Sequence, residues 1–219
     1  MAGYDFVRAN SDNIKIGSGF YAAAIQGQAV ISVHMQTYID SNQVSNVSLL
    51  GLLHSGGGGM VACGFRGTSA TNAGTLFGGG RSQVADSFQS TSDAAVTAAT
   101  IPGENNCGYV IDVAGDAIKT YLNGTLQQNE TGLSFGLSSF GSITEGGHVI
   151  GSNADPGAQY HDGLIQNLAI WGAELSADEF VSLDGGVSPK LIRPGSLVFF
   201  SRLDDSGLLD ETGNATLTL

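Results

Sequence analysis

The sequence predicts an all-β protein, a β-sandwich of the jelly-roll type with one short helix. Apolar and polar residues alternate over many short segments, and turn-forming residues separate these segments at regular spacing. A single segment has a helical pattern. The chain has 219 residues and shows no internal repeat or linker. Because β-sandwiches often reach about 200–250 residues, we expect one domain over residues 1–219.

The clearest alternation lies in residues 29–39. One face carries apolar side chains and a threonine: Ile31, Val33, Met35, Thr37 and Ile39. The other face is more polar: Val30, Ser32, His34, Gln36 and Tyr38. Since successive side chains of a strand point to opposite faces, this pattern predicts a half-buried strand. His34 lies on the polar face, where we expect a solvated or cross-strand residue rather than a ligand.

Other short segments complete the predicted sheets, at residues 44–54, 60–65, 109–113, 117–122, 164–171, 196–203 and 215–219. The glycine run at 56–59 is interpreted as a turn, because a phosphate-binding loop needs a Gly-Lys-Ser/Thr ending that is missing here. Asn123 and Gly124 predict a type I′ hairpin, since both tolerate positive φ.

Residues 176–183 carry the helical signal. Ser176 and Glu179 have the spacing of a capping box, and Leu175 and Phe180 occupy the positions of a hydrophobic staple. Two glycines follow and end the helix. The only tryptophan, Trp171, lies just before it in a strand that we expect to be part of the core.

The composition excludes several classes of protein. Acidic residues number 20 and basic residues 8, so the net charge is −12, which does not suit a protein that binds nucleic acid through phosphate contacts. No run of about 18 apolar residues predicts a membrane span. The start has no signal-peptide core, so we expect synthesis in the cytoplasm. Cys63 and Cys107 are expected to be buried free thiols.

Three segments resemble the concanavalin A-like, laminin-G-like jelly-roll family: AIKTYLNGTL at 117–126, YHDGLIQNLAIW at 160–171 and AELSADEF at 173–180. Their order and spacing fit the family and imply its fold. Gln166 stands where the family usually has an aspartate. The segment LVFFSRLDD at 197–205 is similar to one that usually opens such domains, so residues 196–219 are predicted to be circularly permuted relative to the family.

No catalytic pattern is present, and we expect that the protein is not an enzyme. Retaining glycosidases need two carboxylates about 5–5.5 Å apart, and no pair has a spacing that predicts this. The acidic pairs Asp204-Asp205 and Asp210-Glu211 are interpreted as solvated turn residues. Motifs for serine nucleophiles and for zinc are absent too.

Three functions are considered on the basis of the resemblance and the composition. The first is a structural protein of a phage virion, such as a capsid decoration (cement) protein on the capsid surface. Its partners would be capsid or other virion proteins, and the low share of charged residues, 13%, favours a homo-oligomer such as a trimer. The alternative is a carbohydrate-binding lectin or adhesion module. A glycoside-active enzyme is the least favoured of the three.

Candidate binding residues follow from chemistry. A sugar ring stacks on an aromatic face, and the candidates for this contact are Tyr38, Tyr121 and Tyr160. Calcium takes oxygen ligands from loop carboxylates, and the candidate ligands are Asp112, Asp116, Asp155 and Asp162. No other cofactor is expected.

Overall fold

The computed structural model describes residues 3–7, 12–41, 46–56, 58–152, 159–204 and 208–219. These residues form two antiparallel sheets packed face to face, with one α-helix, as predicted for a jelly-roll β-sandwich. No helix in these ranges is long and apolar enough to cross a membrane.

The first sheet, sheet A, has seven strands. They are β1 (Tyr4–Phe6), β3 (Val30–Ile39), β8 (Gly103–Asp112), β9 (Ala117–Leu122), β10 (Thr125–Thr131), β12 (Gly163–Trp171) and β13 (Leu197–Ser201). Their order is β1-β12-β3-β8-β9-β10, and β13 also pairs with β12.

The second sheet, sheet B, also has seven strands. They are β2 (Ile14–Ile16), β4 (Val47–Leu53), β5 (Gly59–Phe65), β6 (Leu76–Gly80), β7 (Gln89–Ser90), β11 (His148–Ile150) and β14 (Leu217–Thr218). Their order is β14-β2-β11-β4-β5-β6-β7. A π-helical turn, Tyr21–Ile25, connects β2 to β3.

The main core lies between the sheets. The predicted inward face of β3 is buried as a set, with no residue more than 2% exposed: Ile31, Val33, Met35, Thr37 and Ile39. Sheet B contributes Leu50, Leu52 and Phe65 to the same core. Cys63 and Cys107 are both free and buried there, as predicted.

The helix α1 (Ala177–Asp184) covers part of the outer face of sheet A. The Ser176 hydroxyl accepts from the Glu179 N–H, and the Glu179 carboxylate accepts from the Ser176 N–H, so the predicted capping box is confirmed. A second apolar cluster joins the helix to the sheet: Val110, Tyr121, Ala169, Trp171, Leu175, Phe180, Leu183 and Phe200. Of the two expectations for His34, a solvated or a cross-strand residue, the second fits: it pairs with Gly108 and Ala169 on the neighbouring strands and is only 2% exposed at this covered face.

The hairpin between β9 and β10 forms as predicted, with positive φ at Asn123 (48°) and Gly124 (70°). Other boundaries differ from the prediction. Strand β8 begins six residues earlier than expected, at Gly103, because all ten of its residues pair with β3. Residues 44–45 of the strand predicted at 44–54 lie outside the described residues.

The two ends of the chain meet at shared sheet edges. Strand β1 pairs with residues 163–165 of β12 and β13 pairs with residues 168–171, both on the side of β12 opposite β3. Strand β14 pairs with β2 in the other sheet. The C-terminal segment therefore lies beside the N-terminal strands, which the permutation hypothesis requires; the permutation itself stays a prediction.

Candidate functional site

A row of small residues crosses the outer face of sheet B. Gly51 of β4 pairs with Ala62 of β5, and Ala62 pairs with Gly79 of β6. A Cβ at Gly78 or Gly80 would meet side chains of sheet A, so Gly79 between them faces outward. Gly51 and Ala62 leave the sheet almost bare at this level, while Gly79, the third residue of the row, lies under the ring of Phe88. We call the depression above this row the small-residue groove.

Aromatic rings and a guanidinium form one wall of the groove. Phe77 and Phe88 both line it, and Phe88 is 36% exposed. A Cβ on Gly79 would overlap the Phe88 ring, so the glycine is what lets this ring lie against the sheet. The guanidinium carbon of Arg81 lies 5.7 Å from the Phe88 ring centroid, a distance at which a cation is attracted to the π-face.

The loop at 81–88 holds this wall in place through Asp86. Burial raises the pKa of Asp86, but hydrogen bonds from the Ser82 hydroxyl, the Gly136 N–H and Gln83 outweigh this effect and lower the pKa overall. The carboxylate therefore stays ionised and ties the loop to residue 136. Gly141 N–H also donates to the Ser82 carbonyl (2.7 Å).

Amide and hydroxyl groups form the opposite wall, at Asn46, Ser48 and Gln159. The Ser48 hydroxyl donates to Gln159 Oε1 (3.3 Å), and the Ser48 N–H donates to the Gln159 carbonyl (3.0 Å). Asn46 Oδ1 accepts from the Gly67 N–H (3.2 Å). These bonds fix the polar groups along the edge of the groove.

The groove has a volume of about 280 Å³. This is near the lower end for sites that hold small molecules, about 300–1,000 Å³. Its floor is backbone and methyl, one wall offers an aromatic face, and the other offers hydrogen-bonding groups. Such a surface can bind a molecule with one apolar face and several hydroxyls. No carboxylate is among the described residues that line it.

The predicted sugar-binding tyrosines do not meet at one site. Tyr121 is 5% exposed and its ring stacks on Phe180, with centroids 4.3 Å apart, so the helix covers it. Tyr38 lies half-buried on the outer face of sheet A. Its partner on β8 is Glu104 and that of Tyr121 is Gly108, which places the two about 13 Å apart along the strand. Tyr160 is half-buried before β12.

The predicted calcium ligands are also spread out. Asp112 pairs with Val30 at one end of β3, while Asp162 precedes Gly163, which pairs with Ile39 at the other end, about 30 Å away. Asp116 Oδ1 accepts from the Phe135 N–H (3.1 Å). Asp155 lies outside the described residues.

The structure therefore does not bring the described candidates together around one ion, and calcium binding by this chain stays a prediction. Among the residues that the structure describes, no group of three or more His, Cys, Asp or Glu side chains could hold a metal ion.

Sequence reasoning missed the small-residue groove. Its floor and the seat of its aromatic wall come from three strands, and only their register brings Gly51, Ala62 and Gly79 into one row. The available signal was the high glycine content inside strand-like segments, since glycine in a strand often marks a close approach to the backbone.

No protein-family model matches the sequence, and no curated protein matches it at a significant level. Solved structures do. A candidate carbohydrate-binding protein of Bacteroides ovatus aligns with a TM-score of 0.68 and 14% identity over 99% of this chain, which spans 59% of that protein. A heptameric pentraxin of Limulus polyphemus aligns with a TM-score of 0.60 and 16% identity, covering 95% of this chain and 88% of the pentraxin.

A third neighbour is the CBM40 domain of a Ruminococcus gnavus sialidase, with a TM-score of 0.58 and 16% identity, covering 84% of this chain and 97% of that domain. At these identities the likeness establishes the fold. No phage protein is among these three neighbours. The chain is therefore similar in fold to carbohydrate-binding, pentraxin and CBM40 jelly-roll domains, which agrees with the concanavalin A-like resemblance.

Proposed function

We propose that this protein is a non-catalytic carbohydrate-binding module that holds a sugar in the small-residue groove. The observation that carries the proposal is the floor formed by Gly51 and Ala62 beside the ring of Phe88, which lies over Gly79. The bare floor lets a flat ring approach the sheet, and the aromatic face binds its C–H side. Arg81 and the amides of the other wall bond its hydroxyls.

The structural neighbours support the same class of ligand. One is a candidate carbohydrate-binding protein, and the CBM40 domain has a structure with α2,6-sialyllactose bound. The alternative predicted from the sequence, a lectin or adhesion module, thus has more support than the first function, a structural protein of a phage virion. The capsid-decoration role has no support among these neighbours. It stays a prediction, which mass spectrometry of purified virus particles would test.

The predicted homo-oligomer has one line of support, since the pentraxin neighbour is heptameric. A trimer is our expectation for this chain, and light scattering of the purified protein measures its mass directly. Several copies would present several grooves, and linked sites bind a multivalent glycan more tightly than one site does. A monomer in solution would contradict this part of the proposal.

The test of the groove starts with a glycan array and continues with calorimetry on the sugars that bind. Replacing Phe88 with alanine is expected to weaken binding at least about tenfold, which corresponds to about 1.4 kcal/mol. Ala62→Leu fills the floor and is expected to abolish binding at this groove. Asn129→Ala, at an exposed amide on β10 of the other sheet, is the matched control and is expected to bind like the wild type.

Two outcomes would overturn the proposal. The first is a folded wild-type protein that binds no glycan on the array or in solution. The second is a Phe88→Ala or Ala62→Leu protein that binds its sugar as tightly as the wild type. Thermal unfolding of each variant shows whether it is folded.

A further inference from the structure

A second depression lies on the opposite side of the sandwich, on the outer face of sheet A beside the end of α1. It consists of two cavities, of about 290 Å³ and about 500 Å³, that share Gln36. Polar side chains dominate it, and we call it the amide groove: His34, Gln36, Asn106, Gln166, Asn167 and Asp184.

His34 lines the amide groove with its hydrogen-bonding capacity unused. The residue is 2% exposed, and neither ring nitrogen has a hydrogen-bond partner among the described residues. Its Nε2 lies 3.7 Å from Asp184 Oδ1, which is too long for a hydrogen bond. Buried polar groups are almost always paired, so an unpaired histidine at a cavity wall indicates a partner from outside the chain.

The carboxamides beside His34 are held in fixed positions. Gln36 Oε1 accepts from Gln166 Nε2 and from Asn167 Nδ2, both at 2.8 Å. Asn167 has φ of 50°, within an irregularity of β12 between Gln166 and Ala169. Bulges of this kind redirect side chains and are common beside functional sites. Asn106 Oδ1 is buried and also has no partner within the described chain.

The charges around the amide groove disfavour an anionic ligand. Asp184 and Glu104 are both among its lining residues. Arg202 is the one cationic side chain among the described residues of the lining, and it pairs with Glu211 at 2.9 Å. The other wall is apolar, formed by Leu183, Val187 and Pro189. A ligand that suits both walls carries no negative charge, is rich in hydroxyls and is apolar on one side.

We infer that the amide groove is a second, independent binding site for a neutral pyranose, whose hydroxyls bond His34, Asp184 and the carboxamides. The ligand hydroxyls supply the partners that His34 and Asn106 lack. The ring lies against Leu183 and Val187. This site does not use Phe88 or Arg81, so it goes beyond the proposed function and does not depend on it.

The experiment is an NMR titration of the isotope-labelled full chain with the methyl glycosides of glucose, galactose and mannose. At roughly 50 mM, a site with a Kd of about 1 mM is nearly filled. We expect shifts in the His34 ring signals and in the side-chain amides of Gln166 and Asn167 with at least one glycoside. The variant Ala62→Leu is expected to show the same shifts, because its change lies on the other sheet.

His34→Leu is the informative variant. It removes an unpaired polar ring, so its melting temperature is expected to equal or exceed that of the wild type. Its Kd for the glycoside is expected to be at least about tenfold weaker, as judged from the Asn167 amide signal. Gln36→Ala, at a half-buried position, is a second variant expected to weaken binding without unfolding the chain.

Unchanged His34, Gln166 and Asn167 signals with all three glycosides would overturn the inference. So would unchanged affinity in both His34→Leu and Gln36→Ala. These failures are distinct from failure of the proposed function. If Phe88→Ala abolishes binding on the array and the wild type shows no His34 shift, the small-residue groove is supported and the amide groove is not. A His34 shift with no effect of Phe88→Ala supports the amide groove and contradicts the other.

Discussion

The carboxylate of Asp210 accepts hydrogen bonds from four backbone N–H groups, those of Phe200, Thr212, Asn214 and Ala215, at 2.8–3.1 Å. The residue is 4% exposed. It therefore organises the turn that leads from β13 to the end of the chain. The prediction that this acidic pair is solvated is wrong for Asp210, and a loop sequence alone does not reveal which acid is enclosed by backbone donors.

Asp210→Asn is expected to lower the free energy of unfolding by about 2–3 kcal/mol. The substitution replaces one acceptor oxygen with an NH₂ group, which leaves buried N–H donors without a partner. Urea unfolding at pH 7 measures the change. Asp5→Asn, at an exposed position of β1, is the control and is expected to change the free energy by less than about 0.5 kcal/mol. Equal effects of the two substitutions would contradict the expectation.

The His161 ring is fully enclosed near the start of β12. Burial lowers its pKa to about 4, although hydrogen bonding to the Leu164 carbonyl partly opposes this. Its Nε2 lies 3.2 Å from Thr37 Oγ1. In the unfolded chain a histidine titrates near pH 6.5, so below that pH the unfolded state binds a proton that the folded state does not. Stability is therefore full above about pH 6.5 and is lost as the pH falls towards 4.

The expected loss between pH 7.5 and pH 4 is roughly 3 kcal/mol from His161 alone. His161→Gln keeps a hydrogen-bonding side chain but does not titrate, so its unfolding free energy is expected to fall less steeply with acid. His148, whose pKa burial also lowers, contributes the same sign in both proteins and cancels in the comparison. Chemical denaturation across this pH range gives both curves, and parallel curves would exclude the role of His161.

Among the elements, α1 packs on sheet A through one aromatic contact that only glycine permits. Phe180 lies over Gly108 of β8, where a Cβ would be 2.6 Å from two atoms of the Phe180 ring. The ring also stacks on Tyr121. The position of α1 on the sheet therefore depends on the glycine at residue 108 as well as on the capping box of the helix.

Gly108→Ala is expected to destabilise the protein by about 1–3 kcal/mol, because the added methyl pushes Phe180 out of its position. Gly195→Ala is the matched control, since nothing lies within 4 Å of a Cβ at that residue. Thermal unfolding compares the two. Equal melting temperatures of the two variants would mean that Phe180 moves aside without loss of stability.

The elements with strong local signals are those that the sequence predicts well. The capping box fixes the start of α1, and Asn123-Gly124 fixes the β9–β10 hairpin, because each depends on neighbouring residues. The three-residue strands β1, β2 and β11 have no such signal; their partners on other strands create them. For the same reason the sequence does not predict either groove. The grooves form where separate strands, and in one case the end of α1, come together.

At the scale of the whole molecule, charge repulsion acts on the folded state. The net charge of −12 means that like-charge pairs outnumber opposite pairs on the surface. Raising NaCl from about 10 mM to about 100 mM shortens the Debye length from about 30 Å to about 10 Å and weakens this repulsion.

The melting temperature is therefore expected to rise with NaCl over this range by about 2–4 °C, equivalent to about 1 kcal/mol for a chain of this size. Differential scanning fluorimetry at pH 7.5 measures it. An uncharged osmolyte at the same osmolality is the control and is expected to have a smaller effect. A melting temperature that falls with salt would mean that the ion pairs contribute more than the net repulsion does.

The meeting of β1 with β12, and of β14 with β2, has a consequence for biosynthesis. About 160 residues separate the first pair and about 200 the second, so both contacts are among the least local in the chain. During translation, one edge of each sheet therefore lacks its partner strand. The nascent chain therefore completes its fold only after residues 217–218 have left the ribosome. Until then, its unpaired strand edges can associate with other chains unless something covers them.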